Sequence, residues 1–258
     1  MNWVIKNLFR FTANKKTTVL LLSVVFFFVA SAVEVSAQKN FSKTYPASKN
    51  VSLKLINRTG KVEVEGWDRN EIQISAYLEK PAAYISPQNL SGTIVIDLVK
   101  DNQGKHGVGS VNFTIRVPYS SSVNIETSMG NLSISNVRGT LVRAHIYSEG
   151  DITLTNISSN YVTAENGIGD IFFDGLIQSG GTYRFTSMNG RINLHIPFNA
   201  SFKLVATAPS TRSISLGGLS NSGFRFVGQG RRVIGQNGDG SASLTVTNHR
   251  GSIAFISR

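Results

Sequence analysis

Two carboxylates, Asp151 and Asp170, each follow a glycine at the same point of a repeated pattern in this sequence. If the repeats stack at the usual strand spacing of about 4.8 Å, these carboxylates lie close together and favour a bound cation or an arginine partner. Arg191 holds the equivalent place one repeat later. Asp151 and Asp170 are therefore a candidate cation pair. The competing explanation is that Gly-Asp is ordinary turn chemistry, with Arg191 as a surface neighbour.

The same region holds the groups that a polysaccharide-active enzyme of the β-helix type would bring together in one groove. Its candidate acids are Asp151, Asp170, Asp174 and Glu165, with Arg191 as the basic partner. No Gly-x-Ser-x-Gly elbow accompanies them, so the usual arrangement for a nucleophilic serine is missing. The sequence therefore favours a non-catalytic protein without a cofactor, and the polysaccharide-active enzyme is the alternative.

The histidines do not suggest a metal centre. His106, His145, His195 and His249 lie at different offsets from the repeat glycines, so a stacked coil places them in different columns. A zinc site needs three or four ligands in one place. The chain also has no cysteine, which excludes disulfides and thiolate ligands. We therefore expect no metal site beyond the candidate pair of carboxylates.

Basic residues outnumber acidic ones, 26 to 15, and the excess is concentrated near the end of the chain. Residues 203–258 contain seven basic side chains and one acid, Asp239. The candidate surface for an anionic ligand is Arg225, Arg231, Arg232 and Arg250. Such a surface favours an anionic envelope polysaccharide, a lipid surface or another envelope protein, and no specific nucleic acid. The alternative is a solvated surface that only aids solubility.

The elements that position these groups follow a repeat of about 20 residues. The glycines of four central units, Gly130, Gly150, Gly169 and Gly190, are separated by 20, 19 and 21 residues. Glycine suits a sharp corner because it reaches positive φ without steric cost. A fixed step of this length is typical of a chain that coils and stacks rung on rung. Further units end the series at both sides, with turn glycines Gly60 and Gly251.

Each unit predicts two short strands and two turns, with no room for a helix. After each glycine, apolar residues alternate with polar ones, the pattern of a strand with one buried face. The predicted core is Leu132, Ile134, Ile152, Leu154, Ile171, Phe173, Ile192 and Leu194. A second set of strands is predicted at residues 140–146, 160–164 and 182–186. Tyr147, Tyr161 and Tyr183 belong near this second set and are either a binding column or wall packing.

The chain opens with the pattern of a secretory signal peptide. Residues 1–18 carry four basic residues and no acid, residues 19–29 are almost wholly apolar, and small residues precede possible cleavage points after Ala32 and Ala37. We predict a signal peptide at 1–37 and an exported protein in the periplasm, on the outer surface or secreted. An uncleaved membrane anchor is the alternative, although the stretch of residues 19–33 has only 15 residues and falls short of the roughly 20 that span a bilayer.

The remaining residues, 38–258, are predicted to form a single-domain, all-β β-solenoid, right- or left-handed, with about ten rungs and a length of roughly 50 Å. Residues 81–110 form a hairpin or an insertion, with two strands at 93–99 and 111–117, and the polar segment 101–110 is a mobile loop. Residues 217–258 form atypical C-terminal rungs. Ser213 takes the glycine place of an additional unit.

The units TGKVEV, MGNLSI, EGDITL, IGDIFF, MNGRINL and RGSIAF together resemble those of the bacterial "putative adhesin" family. A strand that ends in Val-Pro before the first central unit and an early Gly-Trp-Asp turn add to the likeness, which covers residues 51–258. The resemblance implies an exported or membrane-tethered β-solenoid of unknown function. It favours an adhesin-like binding or structural module of the cell envelope. An envelope-stress component is a further alternative that it implies.

Overall fold

A computed structural model of the chain describes residues 39–221 and 223–257. The predicted signal peptide and its two cleavage points lie outside this range. The regular secondary structure of the described residues is almost entirely β-strand, as the periodicity predicts. None of the described helices is long and apolar enough to cross a membrane.

The strands are numbered in chain order. The first eleven are β1 (Lys39–Pro46), β2 (Ser52–Thr59), β3 (Val62–Trp67), β4 (Glu71–Leu78), β5 (Gln88–Leu90), β6 (Thr93–Asp97), β7 (Val111–Pro118), β8 (Ser122–Met129), β9 (Leu132–Ser135), β10 (Leu141–Glu149) and β11 (Ile152–Ile157). The other ten are β12 (Tyr161–Ile168), β13 (Ile171–Gly175), β14 (Thr182–Asn189), β15 (Arg191–Ile196), β16 (Phe202–Thr207), β17 (Ile214–Ser215), β18 (Gly223–Val227), β19 (Arg232–Asn237), β20 (Ala242–Asn248) and β21 (Ser252–Ser257). A short helix, α1 (Leu98–Asp101), follows β6, and a 3-10 helix (Gly217–Asn221) follows β17.

The strands form two sheets, and consecutive strands of each rung lie in opposite sheets. The ten-stranded sheet has the order β1-β4-β7-β3-β9-β11-β13-β15-β21-β17, and the eleven-stranded sheet has the order β18-β19-β16-β20-β14-β12-β10-β8-β2-β6-β5. Each rung contributes one strand to each sheet, and each strand pairs in parallel with the equivalent strand of the neighbouring rung. In spatial order the rungs are β6/β7, β2/β3, β8/β9, β10/β11, β12/β13, β14/β15, β20/β21 and β16/β17. The predicted β-solenoid fold is confirmed.

The rungs number eight among the described residues, fewer than the ten predicted from chain length. The other strands pair antiparallel at the sheet ends, β1 with β4 and β4 with β7 in one sheet, and β5 with β6 and β19 with β16 in the other. β18 then pairs antiparallel with β19. These strands cover three of the four sheet ends, where an open parallel edge would expose unpaired backbone groups, and the short strand β17 ends the ten-stranded sheet on the remaining side.

The order of rungs in space differs from their order in the chain at both ends. β6/β7 lies outside β2/β3, and β16/β17 lies outside β20/β21. Of the two alternatives for this segment, the hairpin of strands 93–99 and 111–117 is therefore wrong. Because each of these strands has one apolar face, each continues a different parallel sheet and buries that face against the other.

The start of segment 101–110, the predicted mobile loop, is anchored by hydrogen bonds, whereas residues 103–107 are exposed. Asn102 is 1% exposed, and its side chain donates to the carbonyl oxygens of Tyr84 and Leu98 at 2.9 Å. The amide of Tyr84 donates back to Asn102 Oδ1 at 2.8 Å. The polar composition of this segment therefore reflects a hydrogen-bonded corner at its start.

The core lies between the two sheets. All eight predicted core residues are at most 1% exposed. Parallel register places equivalent side chains over one another, as in the Leu132, Ile152, Ile171 and Ile192 column. Phe173 also packs on Phe185 from the opposite sheet, with ring centroids 5.0 Å apart.

The turn glycines form one column along a corner of the stack. Gly60, Gly130, Gly150, Gly169 and Gly190 have positive φ values between 112° and 149°. A Cβ added to the corner glycines Gly130, Gly150, Gly169, Gly190 or Gly251 would lie 1.5–2.3 Å from the carbonyl oxygen of the corner glycine on the neighbouring rung. Glycine is therefore required both by the backbone angle at the five corners and by the close approach of the next rung.

The corner of the β16/β17 rung is made by Arg212, and the assignment of Ser213 to the glycine place is wrong. Ile214 pairs with Ile253, and Ile253 with Ile192, so Arg212 corresponds to Gly190. Arg212 has φ of 58°, a conformation that nonglycine residues adopt at a local cost. The unit is shifted by one residue from the spacing that the sequence suggested.

Candidate functional site

Asp151 and Asp170 lie on successive rungs at the glycine corner, where their side chains belong to a hydrogen-bond ladder. The amide of Asp151 donates to Asn131 Oδ1 at 3.0 Å, and the amide of Asp170 donates to Asp151 Oδ1 at 2.8 Å. The amide of Arg191 donates in turn to Asp170 Oδ1 at 2.7 Å. An Asn or Asp after the glycine thus caps the exposed amide of the next rung.

Arg191 closes the ladder with an ion pair. Its Nη2 lies 2.6 Å and its Nε 2.9 Å from Asp170 Oδ2. The guanidinium hydrogen bond holds the pKa of Asp170 below its ordinary value, and the same contact raises the pKa of Arg191. Each Oδ1 atom of the two aspartates already accepts an amide. Within residues 39–221 and 223–257, no group of three or more His, Asp or Glu side chains is arranged to hold a metal ion.

We expect Asp170→Asn to lower the free energy of unfolding by about 0.5–1 kcal/mol at neutral pH, the range of partly exposed ion pairs. Because the pKa of Asp170 is lower in the folded than in the unfolded protein, its contribution is complete above the unfolded value of about 3.9 and is lost as pH falls through the folded value. Urea unfolding should show the difference between variant and wild type shrinking below about pH 4. Asp68→Asn is the control, because this exposed carboxylate makes no ion pair within the described residues. A difference that stays constant down to pH 2 would contradict the ion-pair assignment.

A second ladder lies on the inner side of the same corner, and sequence reasoning missed it. Asn57, Asn166 and Asn248 are at most 5% exposed and occupy one inward column with Thr127 and Ser187. Their side chains donate to corner carbonyls; Asn166 Nδ2, for example, lies 2.8 Å from the oxygen of Gly169. Each of the five stands three residues before its turn glycine. That Asn/Thr/Ser-x-x-Gly spacing is the signal that could have found them.

The predicted acids and histidines do not meet in one groove. Asp174 is on β13 and contacts His195 of the next rung, with Oδ1 and Nδ1 3.3 Å apart. Glu165 is on β12 in the other sheet and points outward, so the two sheets separate it from Asp174. The ring of His145 packs against that of Tyr147 at a centroid distance of 4.0 Å, with the two planes tilted by 41°. Of the groups proposed for an enzyme, Asp151, Asp170 and Arg191 thus lie at the glycine corner, Asp174 on the outer face of the ten-stranded sheet and Glu165 on that of the eleven-stranded sheet.

The three tyrosines have different environments. Tyr147 and Tyr161 are 57% and 50% exposed on the outer face of the eleven-stranded sheet. Tyr183 is buried, and its hydroxyl donates to the carbonyl oxygen of Ser159 at 2.8 Å. Burial raises the pKa of Tyr183. Tyr183 is therefore a core residue, and the three do not form one binding column.

Arg225, Arg231, Arg232 and Arg250 are all exposed at one end of the eleven-stranded sheet and are called here the basic end. Arg225 and Arg232 project outward from β18 and β19, while Arg231 and Arg250 lie where strands turn. None of the four forms a salt bridge with another described residue. Asp239, the single acid of residues 203–258, lies beyond the opposite end of β19. It instead hydrogen-bonds Ser201 and Ser241.

Comparison with known proteins identifies the family. A family model described as Toastrack DUF4097 matches residues 31–254, most of the chain. The chain belongs to the Toastrack DUF4097 family. The family resemblance predicted from the repeat units is confirmed for this Toastrack protein. No curated protein matches it.

Solved structures similar to this Toastrack protein have low identity. A "putative cell adhesion protein" from Clostridium sporogenes is 14% identical over 86% of this chain and 100% of its own, with a TM-score of 0.48. A "putative adhesin" from Bacteroides fragilis is 9% identical over 85% and 98%, with a TM-score of 0.38. A "putative lipid binding protein" from Parabacteroides distasonis is 11% identical over 84% and 97%, with a TM-score of 0.29.

Proposed function

We propose that this Toastrack protein is an exported, non-catalytic module of the cell envelope that binds an anionic partner through its basic end. The signal-peptide pattern of residues 1–37 supports export. The separation of Glu165 from the other candidate catalytic groups, and the use of Asp151 and Asp170 in the corner hydrogen-bond ladder, support a binding role. A rigid solenoid presents its outer faces as extended surfaces, the use that stacked repeats commonly serve.

The observation that carries the proposal is the cluster of four arginines without a carboxylate partner near one end of the sheet. Of the eight other described arginines, Arg69, Arg116, Arg143 and Arg191 each lie within 3.7 Å of a carboxylate, and Arg58, Arg138, Arg184 and Arg212 do not. The four arginines of the basic end have no such partner among the described residues. Their field is therefore not neutralised locally, and it attracts an anionic polymer or surface.

We expect the double substitution Arg231→Ser/Arg232→Ser to weaken binding to an acidic polysaccharide by about tenfold or more, because it removes two unneutralised charges. Polygalacturonate and vesicles of anionic phospholipid are suitable probes, each compared with a neutral counterpart and titrated at several salt concentrations. Binding to the anionic probes should weaken as salt rises, since exposed charges are screened.

The charge-matched control is Arg69→Ser/Arg116→Ser, which removes two positive charges that already have carboxylate neighbours. It should reduce affinity much less, and melting curves should show that both double variants fold. Equal losses in the two variants would mean that only net charge matters, and the basic end would then not be a site. Absence of binding to every anionic probe would also refute the proposal.

A further inference from the structure

A groove of about 580 Å³ lies on the outer face of the eleven-stranded sheet, beside the corner between β6 and β7. This insertion groove is lined by Ile56, Arg58, Lys100, Gln103, Glu126 and Tyr147, among others. It arises because α1 and the residues after it replace the tight glycine corner of the other rungs and stand beside the sheet. Its volume is within the range of small-molecule sites, about 300–1,000 Å³.

The groove contains an aromatic ring held in a fixed position. The register of β10 shifts between Ile146 and Glu149, and Tyr147 projects outward at this irregularity. Its hydroxyl lies 2.7 Å from Glu126 Oε2, and its ring contacts that of His145. The hydrogen bond to Glu126 raises the pKa of Tyr147, so the hydroxyl remains a donor. Because Tyr147 is held by two neighbours and is still 57% exposed, the face of its ring is available to pack against the ring of a ligand.

The groove contains carboxylates as well as cations. Glu126 accepts the hydroxyl of Tyr147 and lies 3.7 Å from Arg143, and Asp97 accepts the backbone amide of Lys100 at 2.9 Å. Arg58 and Lys100 line the groove without a carboxylate partner among the described residues. A guanidinium and an ammonium beside an aromatic ring match a ligand that combines a flat face with an anionic group.

We propose that the insertion groove binds an acidic sugar unit of the hexuronic acid class. Its ring packs on Tyr147, its carboxylate meets Arg58 and Lys100, and Gln103 and Glu126 are the polar groups available to its hydroxyls. This proposal extends the proposed function from a preference for charge to a particular sugar unit. The groove is also distinct from the basic end, because five strand steps separate β10 from β19, roughly 24 Å.

The test is calorimetric titration with trigalacturonate and with its neutral counterpart, galactotriose. Wild-type protein should bind the acidic trimer at least about tenfold more tightly than the neutral one, because only the acidic trimer can pair with Arg58 and Lys100. Tyr147→Ala should weaken binding of the acidic trimer by about tenfold, and Arg58→Gln by a similar factor. Tyr161→Ala is the matched control, since this equally exposed tyrosine lies on the same sheet face outside the groove, and it should leave affinity unchanged.

The experiment separates this proposal from the previous one. Arg231→Ser/Arg232→Ser should leave trimer binding unchanged; if that variant abolishes it while Tyr147→Ala does not, the groove assignment fails and the basic end stands. No binding of the acidic trimer, or equal affinity for the neutral trimer, overturns the groove proposal. Competition by inorganic phosphate as effective as that of galacturonate would also overturn it, because the site would then recognise charge without the sugar.

Discussion

We expect Gly169→Ala to lower the free energy of unfolding by about 3–5 kcal/mol. Two costs combine at this corner. The backbone of Gly169 has φ of 134°, and a Cβ would lie 2.2 Å from the carbonyl oxygen of Gly150 on the preceding rung. The overlap between this Cβ and the carbonyl oxygen is relieved only if the two rungs move apart, and that movement weakens the parallel hydrogen bonds on both sides of the corner. Guanidinium unfolding followed by circular dichroism measures the change.

Gly180→Ala is the matched control for this prediction. Gly180 also has positive φ, 72°, but no atom lies within 4 Å of the position its Cβ would take. Gly180→Ala should therefore lower the free energy of unfolding by only about 1 kcal/mol, from the backbone conformation alone. If the two substitutions cost the same, the close approach of successive corners has no energetic role, and the glycine column is explained by turn conformation only.

The second large effect is expected for Ile152→Asp, with a loss of about 4 kcal/mol or more. Ile152 is fully buried between the sheets, in register with Leu132 on one side and Ile171 on the other. Aspartate there removes apolar contacts from three rungs and buries a charge that has no partner. Unfolding in guanidinium, or the absence of a cooperative transition, reports the loss.

Thr153→Asp places the same side chain one residue further along β11, on the outer face. It should change stability by no more than about 0.5 kcal/mol, as is usual for surface positions. A similar loss in both variants would show that any aspartate in this strand is harmful, and an unchanged stability of Ile152→Asp would contradict the inward assignment of the alternating residues.

The features of the fold that depend only on contacts within a rung or between adjacent rungs can be predicted from the sequence. Glycine is needed at the corner because the next carbonyl leaves no room for a Cβ, so the positions of Gly130, Gly150, Gly169 and Gly190 are visible as a period. Burial of one strand face requires alternation, so the core could be predicted. The second ladder, on the inner side of the corner, is harder to recognise in the sequence because Asn, Thr and Ser can all donate to a corner carbonyl. In one rung its place is taken by Ile146.

What the sequence does not reveal is which distant rungs are neighbours. Gly251 lies next to Gly190, although the chain forms β16 to β19 between them. Units near Ile214 and Ile253 have similar local patterns, and only the pairing in space decides their order. The closeness of Asp151 and Asp170 follows from adjacent repeats, so it could be predicted. The insertion groove could not, because it depends on where α1 lies relative to Tyr147.

The central claim of this account is the spatial order of the rungs, and pairs of spin labels measure it most directly. With one label at Glu63, the second is placed at Asn193, Ala254 or Ser215, all in one outward column of the ten-stranded sheet. Backbone separations of about 19, 24 and 29 Å correspond to four, five and six strand steps, so the label distances should increase in that order. A shorter distance to Ser215 than to Ala254, as stacking in chain order requires, would contradict the account.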